Sequence, residues 1–178
     1  VTDFSQALLP AAARRAPPLE HWHPPFSGDI DICIARNGQW LHEGRPILRR
    51  PLVQLFATIL RREEDGMYYL VTPAEKWRIR VEDLPLRAID VERGRDGCLA
   101  FTLDDGVQLI ADDAHPVRVE TAASGTPAPS IPVRHGLKAR ILRSVFYRLA
   151  DMAEVHKTPA GEMLVLTSGS SRFHLGRV

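Results

Sequence analysis

Residues Leu70–Val81 read LVTPAEKWRIRV. Trp77, Ile79 and Val81 alternate with Arg78 and Arg80. Alternation at period two predicts a strand whose apolar face meets a core, so the two arginines face solvent or a second layer of structure. Pro73-Ala74 marks a bend after a preceding strand, MYYLVT. The pattern returns 96 positions later as LTSGSSRFHL, Leu166–Leu175. Leu70 then falls on Leu166, Thr72 on Ser168, Lys76 on Arg172, Trp77 on Phe173 and Ile79 on Leu175. Upstream of each copy runs a segment of helical period. At a shift of 90, Leu52, Leu55, Phe56 and Ile59 fall on Leu142, Val145, Phe146 and Leu149, and Arg50 falls on Arg140. A helix followed by two strands, twice, predicts an α+β chain built from a duplicated strand–helix–strand–strand unit.

The rest of the chain is read outward from that repeat. Ile30, Ile32 and Ile34 alternate with Asp29, Asp31 and Cys33 as a strand, and Asn37-Gly38 turns it back into QWLHEG. A helix opens at Pro51 and carries Arg61 and Arg62 in its last turn, with Asp65-Gly66 beyond it. LRAIDVE, CLAFTL, VQLIA and PVRVE are strands separated by Asp96-Gly97, Asp105-Gly106 and an Asp112-Asp113 loop. TAASGTPAPSIP reads as a flexible connector, Arg134–Met152 as one long helix, and Lys157–Gly161 as a loop. MLVLTS and SRFHLG close the chain as a strand pair. The division expected is an N-terminal arm over 1–17, frayed or a short helix, an α+β domain over 18–84 and a second, richer in antiparallel strands, over 85–178.

Net charge is +1, which excludes a generic nucleic-acid binder. No apolar run approaches the roughly 20 residues that cross a bilayer, and no signal peptide is read at the start, so a cytoplasmic protein is expected. Cys33 and Cys98 are the only cysteines and read as two reduced thiols. Among basic side chains only Lys76, Lys138 and Lys157 are lysine; the arginines that make up the rest form two-point contacts with phosphate and carboxylate. Residues 83–120 are rich in acids, whereas Arg134, Lys138, Arg140, Arg143 and Arg148 follow with no acid among them.

The motifs for a P-loop, a dinucleotide fold, a zinc protease and a nucleophile elbow are all missing. His21-x-His23 lacks the partner ligands of a structural zinc site, and no cofactor or metal is expected. An enzyme is disfavoured, with an undescribed hydrolase using Glu75, His115 or Ser168 as the residual catalytic reading. The informative feature is the arginines. Arg140, Arg143 and Tyr147 share one stripe of the expected second helix, and His174 shares a strand face with Arg172. If the halves pack with related faces together, Arg50, Lys76, Arg78, Arg140, Arg143, Tyr147 and Arg172 line a seam that favours an anion, with Thr72, Glu75 and Ser168 in support. The competing occupant is internal: the acidic 83–120 segment, or Glu75, neutralises the same arginines. Two non-catalytic readings follow. One is a ligand-binding or regulatory module for an anionic small molecule. The other is a protein-interaction module whose sheet edges or basic helix take an acidic partner.

GDIDICIARNGQWLHEGRPILRRPLVQLFATILRREEDGMYYLVTPAEKWRIRVEDLPL (Gly28–Leu86), together with HPVRVE, VRHGLKARILRSVFYRLA and TSGSSRFHLG, resembles the bacterial family catalogued as domain of unknown function 1285. The likeness runs from Pro18 to Gly176, departing at Lys138 and Leu166, where the pattern carries an acid and often an aromatic. The resemblance implies two domains with a duplicated core and a C-terminal half superficially like pleckstrin-homology folds. It also implies a ligand site at the domain interface, nucleotide-like, and a role in signal transduction.

Overall fold

The computed structural model describes residues 17–159 and 161–177; residues 1–16 of the expected arm lie outside them. A short 3-10 turn, Leu19–His21, leads into β1 (Phe26–Ile34), β2 (Trp40–His42), β3 (Arg45–Pro46), α1 (Arg50–Thr58), β4 (Leu60–Arg62), β5 (Tyr68–Val71) and β6 (Lys76–Val81). These strands form one sheet in the order β3-β2-β1-β6-β5-β4, antiparallel except where β1 meets β6. There follow β7 (Leu86–Arg93), β8 (Leu99–Leu103), β9 (Gln108–Ile110), β10 (Arg118–Thr121), β11 (Pro127–Pro132) and β12 (Lys138–Ile141), in the order β10-β11-β12-β7-β8-β9 with β12 parallel to β7. After α2 (Arg143–Met152), β13 (Glu154–Thr158), β14 (Gly161–Ser168) and β15 (Ser171–Arg177) make a third, antiparallel sheet.

The fold is α+β, and the duplication is present. Three strands, a helix and three strands occur twice, as β1–β3, α1, β4–β6 and as β10–β12, α2, β13–β15. The strand half of the repeat is as read: Leu70 and Trp77 sit on β5 and β6, Leu166 and Phe173 on β14 and β15. The helix half shifts by 93 rather than 90, because Arg50 opens α1 and Arg143 opens α2. The strands β7–β9 have no counterpart in the first unit.

Several expectations are corrected. Arg134–Met152 is a turn, a strand and a helix. Leu137, Ala139 and Ile141 are buried at period two, and the residues at spacing four that suggested one long helix also satisfy that alternation. Gly136 is the reason the helix does not start earlier: it has φ +73, and a Cβ there would stand 2.8 Å from the carbonyl of Arg62. Arg140 is therefore a strand residue, and no helical stripe joins it to Arg143 and Tyr147. Arg61 and Arg62 belong to β4, since α1 ends at Thr58 and Ile59 turns the chain (φ −104, ψ 7). The connector is the β10–β11 hairpin. Pro127 and Pro129, two apart, present their missing donors to one edge of β11, which leaves the ladder on its other edge intact. Of the loop expected at 157–161, Lys157 and Thr158 belong to β13 and Gly161 to β14.

One apolar cluster runs through all three sheets, from Ile34, Trp40 and Leu60 through Leu103, Ile131 and Leu137 to Leu166 and Phe173. The Trp40 and Phe56 rings stack at 5.9 Å, fixing α1 on its sheet. Ile79 is buried with that cluster and Val81 packs against it. The Trp77 ring lies over Gly28.

Candidate functional site

The arginines divide into those that meet carboxylates of the chain and those that do not. At the junction between the first sheet and the second, Arg140 grips Asp83 through Nη2 at 2.6 Å and Nε at 2.9 Å. Arg134 reaches Asp105 at 2.9 Å and the Ala57 carbonyl at 3.2 Å. Arg87 pairs with Asp104 at 3.1 Å and donates to the Asn37 carbonyl. Arg148 pairs with Asp90, and Lys138 lies 3.5 Å from Glu120. The acidic 83–120 segment thus neutralises this part of the basic run internally. The hydrogen bond from Arg140 holds the Asp83 carboxyl below its ordinary range, against the opposing push of burial. Apolar side chains of both sheets meet in one cluster beside these pairs.

On the outer face of the first sheet Lys76 and Arg78 are likewise paired. Arg78 chelates Asp29, and the hydrogen bond lowers that carboxyl. Lys76 meets Glu63 at 2.9 Å and stands over the Tyr69 ring at 5.0 Å. Burial raises the Glu63 carboxyl, but the Lys76 and Arg61 hydrogen bonds outweigh it and the net shift is downward. A depression of about 680 Å³ opens here beside Tyr68, where the β1–β6 ladder skips between Asp29 and Cys33. Of its cations, Arg78 is paired with Asp29, and Arg80 donates from Nε to Cys33 Sγ at 3.3 Å, with Asp31 in the same wall.

A second depression, of about 460 Å³, lies at the corresponding seam of the second unit. There β10 and β15 lie alongside each other. Among the described residues no backbone hydrogen bond joins them: β10 is bonded to β11 and β15 to β14. The floor is apolar, with Phe146 and Ala150 from α2 and Met163, Leu164 and Leu175 from the third sheet. Arg143, Phe146, Tyr147 and Ala150 follow the i, i+3, i+4, i+7 rule, so Arg143 and Tyr147 flank the two residues that face the groove. Arg143 Nε donates to Tyr147 Oη at 2.7 Å. On β15, Arg172 and His174 share one face. A bulge at Leu175 shifts the register, pairing Arg177 with Met163 and His174 with Val165, so Arg177 joins that face although strict alternation would place it opposite. Arg143, Arg172 and Arg177 are exposed, and among the described residues no carboxylate lies within ion-pair distance of them.

The candidate residues therefore sit in separate places. Arg50 is exposed at the first turn of α1, Lys76 and Arg78 are on β6, Arg140 is at the junction, and Arg143 and Tyr147 on α2 and Arg172 on β15 are exposed on the elements that supply the β10–β15 groove without lining it themselves. Thr72 organises the β5–β6 turn by accepting from the Ala74 and Glu75 amides. Glu75 accepts from the Trp77 indole at 3.2 Å. Ser168 is buried; its hydroxyl donates to the Ala111 carbonyl at 2.7 Å and accepts from the Leu99 amide at 2.8 Å, so its proton is committed to a structural bond. His115 Nδ1 lies 3.0 Å from the Pro132 carbonyl. Arg177 and the Phe146 floor were not singled out from sequence: a bulge leaves no mark in a periodic pattern, and Phe146 reads as core like any helix phenylalanine.

Among curated proteins none matches the chain. Two family descriptions do: the N-terminal domain of a domain of unknown function, DUF1285, over residues 17–84, and the C-terminal domain of the same family over residues 85–175. The crystal structure of a DUF1285 family protein from Silicibacter pomeroyi DSS-3 is similar at 44% identity and a TM-score of 0.84, covering 94% of this chain and 91% of that one. That of a DUF1285 family protein from Shewanella baltica OS155 is similar at 28% identity and a TM-score of 0.54, covering 67% of this chain and 90% of that one. The two matched domains span nearly the whole chain, and with the agreement in fold they establish that it belongs to the DUF1285 family.

Proposed function

We propose that this chain is a non-catalytic binding module whose site is the β10–β15 groove and whose ligand is anionic. The observation that supports this is an apolar-floored groove between two unladdered strands, lined by Arg177 and His174, with Arg172 on the same face of β15 and Arg143 one turn from Phe146 on α2; none of the three arginines has a carboxylate partner among the described residues. Cations left unneutralised beside an apolar surface favour a ligand with negative charge and an apolar body. The interdomain seam is the weaker candidate, because Asp83, Asp104 and Asp105 already occupy its arginines. Occupancy of a site without chemistry acts by changing what the protein presents to others, which is a regulatory role, and the reduced thiols Cys33 and Cys98 suit a cytoplasmic setting.

The test is calorimetry of the full chain against nucleotides, inorganic tripolyphosphate and acidic peptides, repeated with Arg143→Ala/Arg177→Ala and with Arg140→Ala. Each charge-assisted bond lost removes ~1.5–3 kcal/mol, so the double variant is expected to weaken binding by about 100-fold or more, while Arg140→Ala leaves the affinity of the folded protein unchanged. Binding that survives the double variant, or that Arg140→Ala alone abolishes, refutes the assignment.

A further inference from the structure

The groove is also a gap in a duplicated sheet. In the first unit the leading strand β1 and the closing strand β6 zip together in parallel. In the second unit the equivalent strands β10 and β15 remain sheet edges, each bonded on one side only among the described residues. An edge presents a row of backbone donors and acceptors that another strand satisfies. The other edges are poorer templates for an acidic strand: β3 has two residues, one of them Pro46, β4 and β9 have three each, and β13, with five, carries Glu154 and no arginine.

Resting on the reading of this groove as the binding site, we infer that its occupant is an acidic peptide segment in extended conformation, added as a strand to β15. The charge pattern selects β15 over β10. Arg172, His174 and Arg177 lie along β15 and Arg143 stands on α2 beside it, whereas β10 contributes Glu120 to the groove. A strand turns successive side chains to opposite faces. One set then drops onto Phe146, Leu164 and Leu175 while the other presents carboxylates to the arginines, so the segment alternates apolar and acidic residues. β15 is seven residues long, enough to ladder with five or six residues of a guest. A free phosphate or nucleotide engages the arginines but satisfies neither the strand edge nor the floor. Seating a strand against β15 displaces β10 by one strand spacing, roughly 4.8 Å, and this moves the β10–β11 hairpin.

The experiment pans a randomised hexapeptide library against the full chain, then measures the consensus peptide by calorimetry beside a version N-methylated at alternate amides, inorganic tripolyphosphate and vesicles containing anionic lipid. Enriched sequences are expected to alternate apolar and acidic residues. N-methylation, which removes ladder donors and keeps charge and hydrocarbon, is expected to weaken binding at least tenfold. Amide exchange is expected to slow over 172–177 on binding. Arg172→Glu/Arg177→Glu, checked for an unchanged melting curve, is expected to abolish it, and Arg172→Gln/Arg177→Gln to weaken it partly. Equal affinity of the N-methylated peptide, or protection confined to other strands, overturns the strand inference. Arginine-dependent binding of tripolyphosphate or vesicles with no peptide enrichment also overturns it, yet leaves the groove as an anion site. No binding of any probe overturns both.

Discussion

The Asp83–Arg140 pair decides whether the junction arginines are structural. Replacing Asp83 with Ala strands the Arg140 guanidinium, whose side chain is three-quarters buried and which, among the described residues, otherwise donates only to the Pro129 carbonyl at 3.2 Å. Two charge-assisted hydrogen bonds are lost. A fully buried pair would be worth more, but partial exposure discounts each bond, and about 2 kcal/mol of coupling is expected. For a chain of this length that lowers the melting temperature by roughly 4–8 °C. The assay is a double-mutant cycle in urea with Asp83→Ala, Arg140→Ala and both together; the double variant should be little worse than either single one. The pH dependence fixes the sign. Arg140 depresses the Asp83 carboxyl in the folded state, so its contribution is present above the ordinary value of 3.8 and is lost as the pH falls through the lower folded value. The gap between wild type and Asp83→Asn should therefore be full at neutral pH and close below about pH 3.8. A coupling energy below roughly 0.5 kcal/mol would refute the claim that Asp83 engages this arginine, and would return Arg140 to the pool of free cations.

Other substitutions probe separate parts of the structure. Ser168→Ala should cost about 2–4 kcal/mol in urea unfolding, because it leaves the buried Leu99 amide and Ala111 carbonyl unpaired; a neutral result would show that water replaces the hydroxyl. Gly136→Ala should destabilise by at least about 1–3 kcal/mol, since φ +73 is strained for alanine and the new methyl meets the Arg62 carbonyl; melting curves read it directly. Tyr69, hydrogen-bonded to Asp65 at 2.6 Å, should ionise only near pH 12, where its phenol is pushed up to about 12, and Asp65→Asn should bring it down; ultraviolet titration of the two proteins checks this.

Strand periodicity was legible wherever one face is buried and the other wet. LVTPAEKWRIRV and LTSGSSRFHL announced the duplicated strand pairs, because alternation survives without knowledge of any neighbour. The chain also showed by itself that 83–120 is acidic and the segment after it basic, which offered internal pairing as the alternative to an anionic ligand. Boundaries failed where two periods agree. Leu137, Ile141 and Val145 fit a helix as well as a strand followed by a helix, and only the left-handed Gly136 packed against Arg62 settles which forms. Pro127 and Pro129 argued against a strand, yet β11 tolerates them because their missing donors fall on one edge. Tertiary structure alone decided which carboxylate takes which arginine, since Arg140 and Asp83 stand 57 positions apart and no local rule joins them. It alone also left β10 and β15 unzipped where β1 and β6 are zipped. Sequence pattern fixes which way a side chain faces along its own element; charge pairing and strand closure depend on distances between elements, which arise only when the sheets pack.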